Sequence, residues 1–352
     1  MTSNLFGESR QALAEIVSEF SDKPFHARQL FSWIYSRAET DLSRMSNLPR
    51  PLRAALSERY VISHPRVELR QTSRDGTVKY LLRLEDGKAV EAVYIPEKTR
   101  VTLCISSQIG CPLGCTFCLT AKMGLVRNLT PGEIAGQVAV LAGEHGLEAN
   151  GYNLVFMGMG EPLNNYDHVL AAFRLLTDPE GLGIAAKHIT LSTAGVVPGI
   201  RRLAREDPRP RLAVSLSATT DALRNDLMPI NRAYPLAELF KSLRELPLAP
   251  REKVTLEYVL LRGMNDRRED AQRLASLAGK LPLKVNLIPY NEAYREGYAA
   301  TPLEAARSFR DALLSRRIPA SIRRRRGADI SAACGQLAIL DPATLEHPNP
   351  VA

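Results

Sequence analysis

The stretch "CPLGCTFC", Cys111–Cys118, carries three cysteines in the spacing C-x-x-x-C-x-x-C. A structural zinc site is closed by four ligands, often as C-x-x-C pairs or with nearby histidines. The six histidines are His26, His64, His145, His168, His188 and His347, and none lies close in sequence to this loop. An iron–sulfur cube fits the pattern better. Each of its irons normally takes one thiolate, so three cysteines leave one iron open to a small molecule. Gly110 and Gly114 give the loop room to wrap such a group.

Outward from this loop, short apolar runs alternate with helical stretches. The runs are "VTLCIS" (101–106), "NLVFMGMG" (153–160), "HITLSTAG" (188–195), "RLAVSLSA" (211–218), "VTLEYVLL" (254–261) and "KVNLIPYN" (284–291). Six strands alternating with helices predict an α/β fold with a parallel sheet, open or partly closed as a TIM-like (β/α)6 barrel. One helix is expected after Thr130, where Thr130 and Glu133 form a capping box with Pro131 in the first turn. The cysteine loop follows the first of these strands. Parallel α/β architectures place their active sites at the carboxyl ends of strands.

Upstream the texture differs. Leu13, Ile16, Val17 and Phe20, then Leu30, Phe31, Ile34 and Tyr35, recur at helical spacing. Trp33 lies in the second run and reads as core. Pro49 and Pro51 interrupt the pattern before "LRAALSERYV" resumes it. From Val67 strand composition takes over. Asp75-Gly76 and Asp86-Gly87 predict hairpins with type I′ turns, which need positive φ at both central positions. The expected organisation is a small helical unit over 1–64, β-hairpins over 65–100 and an α/β core over 101–345.

The 352 residues hold 46 Lys plus Arg against 38 Asp plus Glu, a net charge of +8. That surplus fits a polyanionic partner, with nucleic acid first. The run Arg323–Arg326, with Arg316 and Arg317 upstream, reads either as a solvated face or as a phosphate grip beside Cys334. Lys23 and Arg28 add charge to the helical unit. The polar start "MTSNLFGESRQ" lacks a secretory pattern, and no apolar run approaches the ~18 residues of a membrane span. A cytoplasmic protein with no membrane partner is expected. The five cysteines are an odd number and three crowd into eight residues, which suits metal binding better than disulfides. Cys104 and Cys334 stand apart; free cysteines of this kind are often small buried apolar groups.

The loop spacing resembles that of the radical S-adenosylmethionine superfamily. The resemblance implies that the open iron of a 4Fe-4S cluster on Cys111, Cys115 and Cys118 chelates S-adenosylmethionine, which an electron cleaves to a 5′-deoxyadenosyl radical. "FMGMGEPL" (156–163) resembles the superfamily's GGEP element, so Gly160 and Glu161 are expected to meet the methionyl amine. Read alone, it is a turn with a solvated acid.

Five separated stretches are similar to the RlmN/Cfr family of radical RNA methylases. They are "YIPEKTRVTLCISSQIGCPLGCTFCLTAKMGLVRNLTPGEI", "VFMGMGEPLNNYDHV", "LRNDLMPINRAYPL", "VNLIPYN" and "RRRRGADISAACGQL". The match runs over roughly residues 10–340. It implies methylation at carbon 2 of adenosine in the peptidyl-transferase centre of 23S rRNA and in tRNA beside the anticodon. Two S-adenosylmethionine molecules are then used per turnover. Cys334 is expected to carry the methyl group, Cys104 to resolve the RNA linkage through a transient disulfide, and Glu91 to act as general base. From the residues alone, Glu91 is an ordinary strand-face acid. Ser192, Ser215, Leu216, Ser217 and Asn291 are the further expected cofactor contacts. A reducing donor such as flavodoxin or ferredoxin is implied, and a monomer is expected. The chain departs from the family at Ser217, where a histidine is usual, and after Asn291, where a proline is usual. Other readings are a Cfr-like carbon 8 methylase, a non-enzymatic iron–sulfur RNA-binding protein and a glycyl-radical activating enzyme.

Overall fold

The computed structural model describes residues 3–291 and 297–339. A 10-stranded sheet organises it. Its strands are β1 (Arg66–Thr72), β2 (Val78–Arg83), β3 (Ala89–Pro96), β4 (Val101–Cys104), β5 (Tyr152–Phe156), β6 (Ile189–Thr193), β7 (Arg211–Ser215), β8 (Val254–Leu260), β9 (Leu283–Pro289) and β10 (Ala320–Ile322). Spatial order follows chain order from one edge to the other. β1 to β4 pair antiparallel, and β4 to β10 pair parallel. Among the described residues β10 does not pair back, so the barrel is open, as expected.

Each parallel crossover is made by a helix, Pro131–Glu144 after β4 being the first and Leu303–Leu314 before β10 the last. Helices cover such strands on the faces, so the strands read as near-continuous apolar runs. β8 shows this: six of its seven residues are buried. All six predicted strands form. β10 was not expected, because "ASI" is too short to show a period. The capping box forms as predicted: the Glu133 amide donates to Thr130 Oγ1 at 3.2 Å and the Thr130 amide donates to Glu133 Oε2 at 2.9 Å.

The antiparallel hairpins extend the core sheet through the Val93–Cys104 pairing. Their turns are not type I′. Only Gly76 and Gly87 take positive φ, while Asp75 and Asp86 do not. Five residues separate β1 from β2, and the Gly76 amide donates to the Ser73 carbonyl at 3.0 Å. A three-residue loop needs left-handed backbone only at its glycine.

The N-terminal helices Arg10–Ser18, Phe25–Phe31 and Arg50–Arg59 bury Leu13, Val17, Leu30, Phe31, Leu52 and Leu56 in the core cluster that also contains the sheet. Pro51 sits in the first turn of the third helix rather than breaking it. Arg10 bridges to Asp178 and Glu180, which lie after the helix Tyr166–Thr177. Trp33 is only partly buried, correcting its expected place in the core. Its Nε1 donates to Asn47 and the Arg37 guanidinium lies 4.2 Å over its ring. Among the described residues no helix is long and apolar enough to cross a membrane.

Candidate active site at the carboxyl ends of the parallel strands

The cysteine loop is held by a small ribbon. Strands Gln108–Gly110 and Leu125–Asn128 pair antiparallel, and Cys111–Cys118 lies between them. Gly110 takes φ +74, and a Cβ there would collide with the Gly124 carbonyl. Only glycine allows both that conformation and that approach. Leu113 and Phe117 pack on a cluster around Leu227, Met228 and Tyr290, so the loop is anchored by its apolar residues while its sulfurs face a cleft.

That cleft measures about 1040 Å³, counting space open to solvent, and lies where the parallel strands end. Cys111, Cys115, Cys118, Gly160, Glu161, Ser192, Ser215, Asn291 and Cys334 all line it. The predicted residues Glu91, Cys104, Leu216 and Ser217 do not. Burial raises all three loop thiols, that of Cys111 up to about 12, and their mutual charge repulsion adds to the effect. Metal binding must therefore displace protons. Among the described residues no three His, Cys, Asp or Glu side chains converge as ligands of one ion would. Thiols that share a cleft without converging suit a multi-iron cube better than a single ion.

Two orphaned polar atoms mark where a polar ligand fits the same cleft. Among the described residues Asn291 Oδ1 and Glu257 Oε2 are buried without a hydrogen bond, Arg323 lying 3.7 Å from the Glu257 oxygen. A buried polar atom without a partner is costly, and an amino-acid or ribose group would satisfy both. The loop after Asn291, where the usual proline is missing, lies outside the described residues, as do the expected core end at 345 and His347. Each oxygen of Glu161 accepts one backbone hydrogen bond, which leaves acceptor capacity toward the cleft. Its Oε1 accepts from the Leu163 amide at 3.0 Å and its Oε2 from the Ala194 amide at 2.7 Å, which joins the ends of β5 and β6. Burial nevertheless raises its pKa. Gly158 and Gly160 serve packing as well as ligand access: a Cβ would lie 2.5 Å from Ser106 Oγ at the first and 2.5 Å from Gln108 Cβ at the second.

Leu216 and Ser217 are fully buried and their backbone carbonyls are taken. The Leu216 carbonyl accepts from Arg224 Nε at 3.1 Å and the Ser217 carbonyl from Asn265 Nδ2 at 2.7 Å. Arg224 itself is completely buried. Its Nη2 donates to the carbonyls of Ala194 at 2.6 Å and Ser215 at 3.2 Å, and Nη1 donates to Asn231 Oδ1 at 3.0 Å. This explains the stretch "LRNDLMPINRAYPL": it clamps the ends of β6 and β7. Arg224→Met should cost about 3 kcal/mol or more, because several buried carbonyls lose their donor. Thermal unfolding measures the loss, and an unchanged midpoint would contradict the clamp.

Cys334 is exposed at the cleft, on a segment held from three sides. The Leu119 amide donates to the Gly335 carbonyl at 2.8 Å and Thr120 Oγ1 to the Leu337 carbonyl at 2.5 Å, tying it to the cysteine loop. The first hairpin turn holds its other end: Ser73 Oγ donates to Asp329 Oδ1 at 2.5 Å and the Gly327 amide to Asp75 Oδ2 at 3.1 Å. Arg323 lies at the centre. Its Nη1 is 3.6 Å from Cys334 Sγ, 3.8 Å from Met157 Sδ and 3.7 Å from Glu257 Oε2. Cys104, buried at the end of β4, interacts electrostatically with both Cys334 and Arg323. Burial raises the Cys104 thiol up to about 12, Cys334 adds to this, and Arg323 opposes it.

Within the arginine run Arg324 and Arg325 are exposed and Arg323 and Arg326 half-buried, and three of the four make contacts within the protein. Arg323 faces the sulfurs, Arg325 Nη2 donates to the Tyr290 carbonyl at 2.9 Å, and Arg326 lies 3.8 Å from Asp75. Sequence reasoning took these residues for a phosphate grip or a solvated face, and it missed Glu257 entirely. The only signal for Glu257 is an acid in an otherwise apolar strand.

Glu91 is buried on β3. Its Oε1 lies 3.0 Å from Lys79 Nζ, and Oε2 has no hydrogen-bond partner. Desolvation raises its pKa, and Lys79 and the nearby Ala338 amide act against that rise.

An open parallel sheet ending in a three-thiol cleft defines a radical S-adenosylmethionine enzyme. The Radical SAM superfamily model matches residues 105–275, and the model of the ribosomal RNA large subunit methyltransferase N-terminal domain matches residues 3–62. The chain belongs to the RlmN family of radical S-adenosylmethionine RNA methyltransferases. The protein of Anaeromyxobacter dehalogenans named dual-specificity RNA methyltransferase RlmN is 48% identical, over 96% of this chain and 92% of its own length. The Geobacter sulfurreducens protein of the same name is 48% identical, over 89% and 86%. A crystal structure of a radical SAM methyltransferase from Sphaerobacter thermophilus is 41% identical, with a TM-score of 0.86 over 95% of this chain and 98% of that one.

Proposed function

We propose that this enzyme methylates carbon 2 of adenosine in 23S rRNA and in tRNA, through a methyl group carried on Cys334 and released by Cys104. The relatives named dual-specificity RNA methyltransferase support the RNA substrates. The observation that carries the mechanism is that Cys334, at the rim of the three-thiol cleft, lies 3.6 Å from Arg323, with the buried Cys104 in electrostatic range of both.

Cys111, Cys115 and Cys118 hold the cluster, and Gly160, Glu161, Ser192, Ser215 and Asn291 face the S-adenosylmethionine, with Leu216 and Ser217 behind them. Once bound, these groups would supply the radical chemistry that activates the methyl on Cys334. The ring carbon of an aromatic amidine is electrophilic, so a cationic methyl donor does not alkylate it directly, whereas a carbon radical adds. Glu91 takes the ring proton. The adduct also gives up one electron, which an oxidised cluster would accept, so that the ring is aromatic again; the Cys104 thiolate then attacks Cys334 Sγ, an S–S bond forms, the S–CH2 bond breaks, and its electron pair, delocalised into the ring, takes up a proton on the carbon that becomes the methyl group. Arg323 offsets the negative charge on either sulfur.

The helical unit 1–64, the hairpins 65–100 and the core 101–345 are assigned as RNA-binding, linking and catalytic parts. A reducing donor such as flavodoxin or ferredoxin, a monomeric state and a cytoplasmic location complete the reading.

Peptide mass spectrometry of the purified protein tests the carrier: methyl is expected on Cys334, and an enzyme that turns over without it would refute the scheme. Carbon 8 methylation by the same thiols is the second reading, favoured by the cysteine set it shares. Nucleoside analysis of a deletion strain separates them, since carbon 2 methylation that persists without this gene rules out the first.

A further inference from the structure

Lysine is almost never fully buried unless it is paired. Lys79, on β2, is 4% exposed in its side chain, and its partner Glu91, on β3, is 5% exposed. Leu81 pairs with Glu91 and Lys79 with Val93, so the two charges are diagonal neighbours across the antiparallel ladder. Val93 in turn pairs with Cys104 on β4. A buried ion pair gains little stability over a well-packed apolar pair, so stability does not account for these residues in an otherwise apolar stretch of sheet. Their location does: one register step from Cys104, and against the segment that carries Cys334.

We propose that Lys79 is a positioning residue for the reaction: its ammonium fixes Glu91 Oε1 and leaves Oε2, which has no protein partner, free to take the ring proton of the adenine. This rests on Glu91 being the base. Lys79 comes from β2. From the segment after β4, Ser106 Oγ donates to the Glu91 backbone carbonyl at 2.6 Å and leaves the carboxylate alone. From the C-terminal segment the Ala338 amide approaches the carboxylate without satisfying Oε2. Among the described residues Lys79 is the charged side chain that acts on Glu91.

The sign of the effect follows. Burial disfavours the charged carboxylate and raises its pKa; the ammonium favours the charged form and opposes the rise. Without Lys79 the pKa climbs further, and less carboxylate exists near neutral pH. The rate of a base-limited step falls with that fraction, about tenfold for each unit by which the pKa moves above the working pH.

The test uses full-length enzyme with its cluster, methylated on Cys334, and a transcript of the 23S rRNA peptidyl-transferase region. Single-turnover product formation is followed against pH for wild type, K79M, K79R and E91Q, and the covalent RNA–protein species is quantified on denaturing gels. K79M is expected to shift the acid limb to higher pH, to lose about tenfold or more near neutral pH, to regain rate in alkali, and to accumulate the covalent species. K79R is expected to keep the wild-type profile. An unshifted K79M profile overturns the proposal. E91Q separates the two claims: if it turns over normally, the base assignment itself fails; if it is blocked while K79M is unshifted, only the role of Lys79 fails. Should K79M fold poorly, K79Q removes the charge while keeping a polar head and decides the question in the same way.

Discussion

Cys104→Ala enzyme incubated with RNA and S-adenosylmethionine should yield a stable covalent protein–RNA species and at most one turnover per protein. The bond from Cys334 sulfur to the added methylene has no route to cleavage except attack on sulfur, and the attacker must be a thiolate within reach. Cys104 is the one cysteine outside the loop that interacts with Cys334, through the shared neighbourhood of Arg323. It is buried, and burial pushes its thiol up to about 12, with Cys334 adding to the rise and Arg323 opposing it, so the guanidinium beside the pair favours the attacking thiolate. Alanine removes the nucleophile and leaves Glu91, the loop and the cleft in place. A denaturing gel of labelled RNA, with mass spectrometry of the linked Cys334 peptide, measures the adduct. Free methylated RNA and repeated turnover in this variant would remove Cys104 from the mechanism.

Cys118→Ala should abolish methylation and the visible absorbance of the anaerobically reconstituted protein. The Cys118 sulfur is backed by the Thr120 side chain and the amides of Thr120 and Ala121, which favour its thiolate against the desolvation of the site. With three thiolates available in the cleft, loss of one leaves too few to keep a cube. The fold should survive, because the loop is anchored by Leu113, Phe117 and the 108–110/125–128 ribbon, and none of these needs the sulfur. Iron content, absorbance and methylation are measured together with circular dichroism. Methylation by a folded Cys118→Ala enzyme would overturn the cluster assignment.

The parts of the molecule legible in the sequence are those set by local chemistry. Three cysteines with two glycines specify a thiol loop; apolar runs at regular spacing specify parallel strands; Thr130 and Glu133 specify a helix start. Resemblance then named the roles of Cys104, Cys334 and Glu91. The arginine run shows where local reading stops. A string of four cations looks like a uniform surface, yet three of them, half-buried or exposed, also contact a sulfur, a carbonyl and a carboxylate of the protein. The hairpins show a milder failure: the Asp-Gly pairs located both turns, but loop length fixed their type.

The sequence by itself determined that a cube-binding loop follows the first strand of an open parallel sheet, because spacing along one short segment dictates both. Only the tertiary structure decided that Arg323 contacts Cys334 within electrostatic range of Cys104, that Lys79 is sealed against Glu91, and that Glu257 and Asn291 line the thiol cleft. Those meetings join segments remote in the chain. Burial creates them, since a charge or thiol withdrawn from water acquires its reactivity from whichever neighbours the fold supplies.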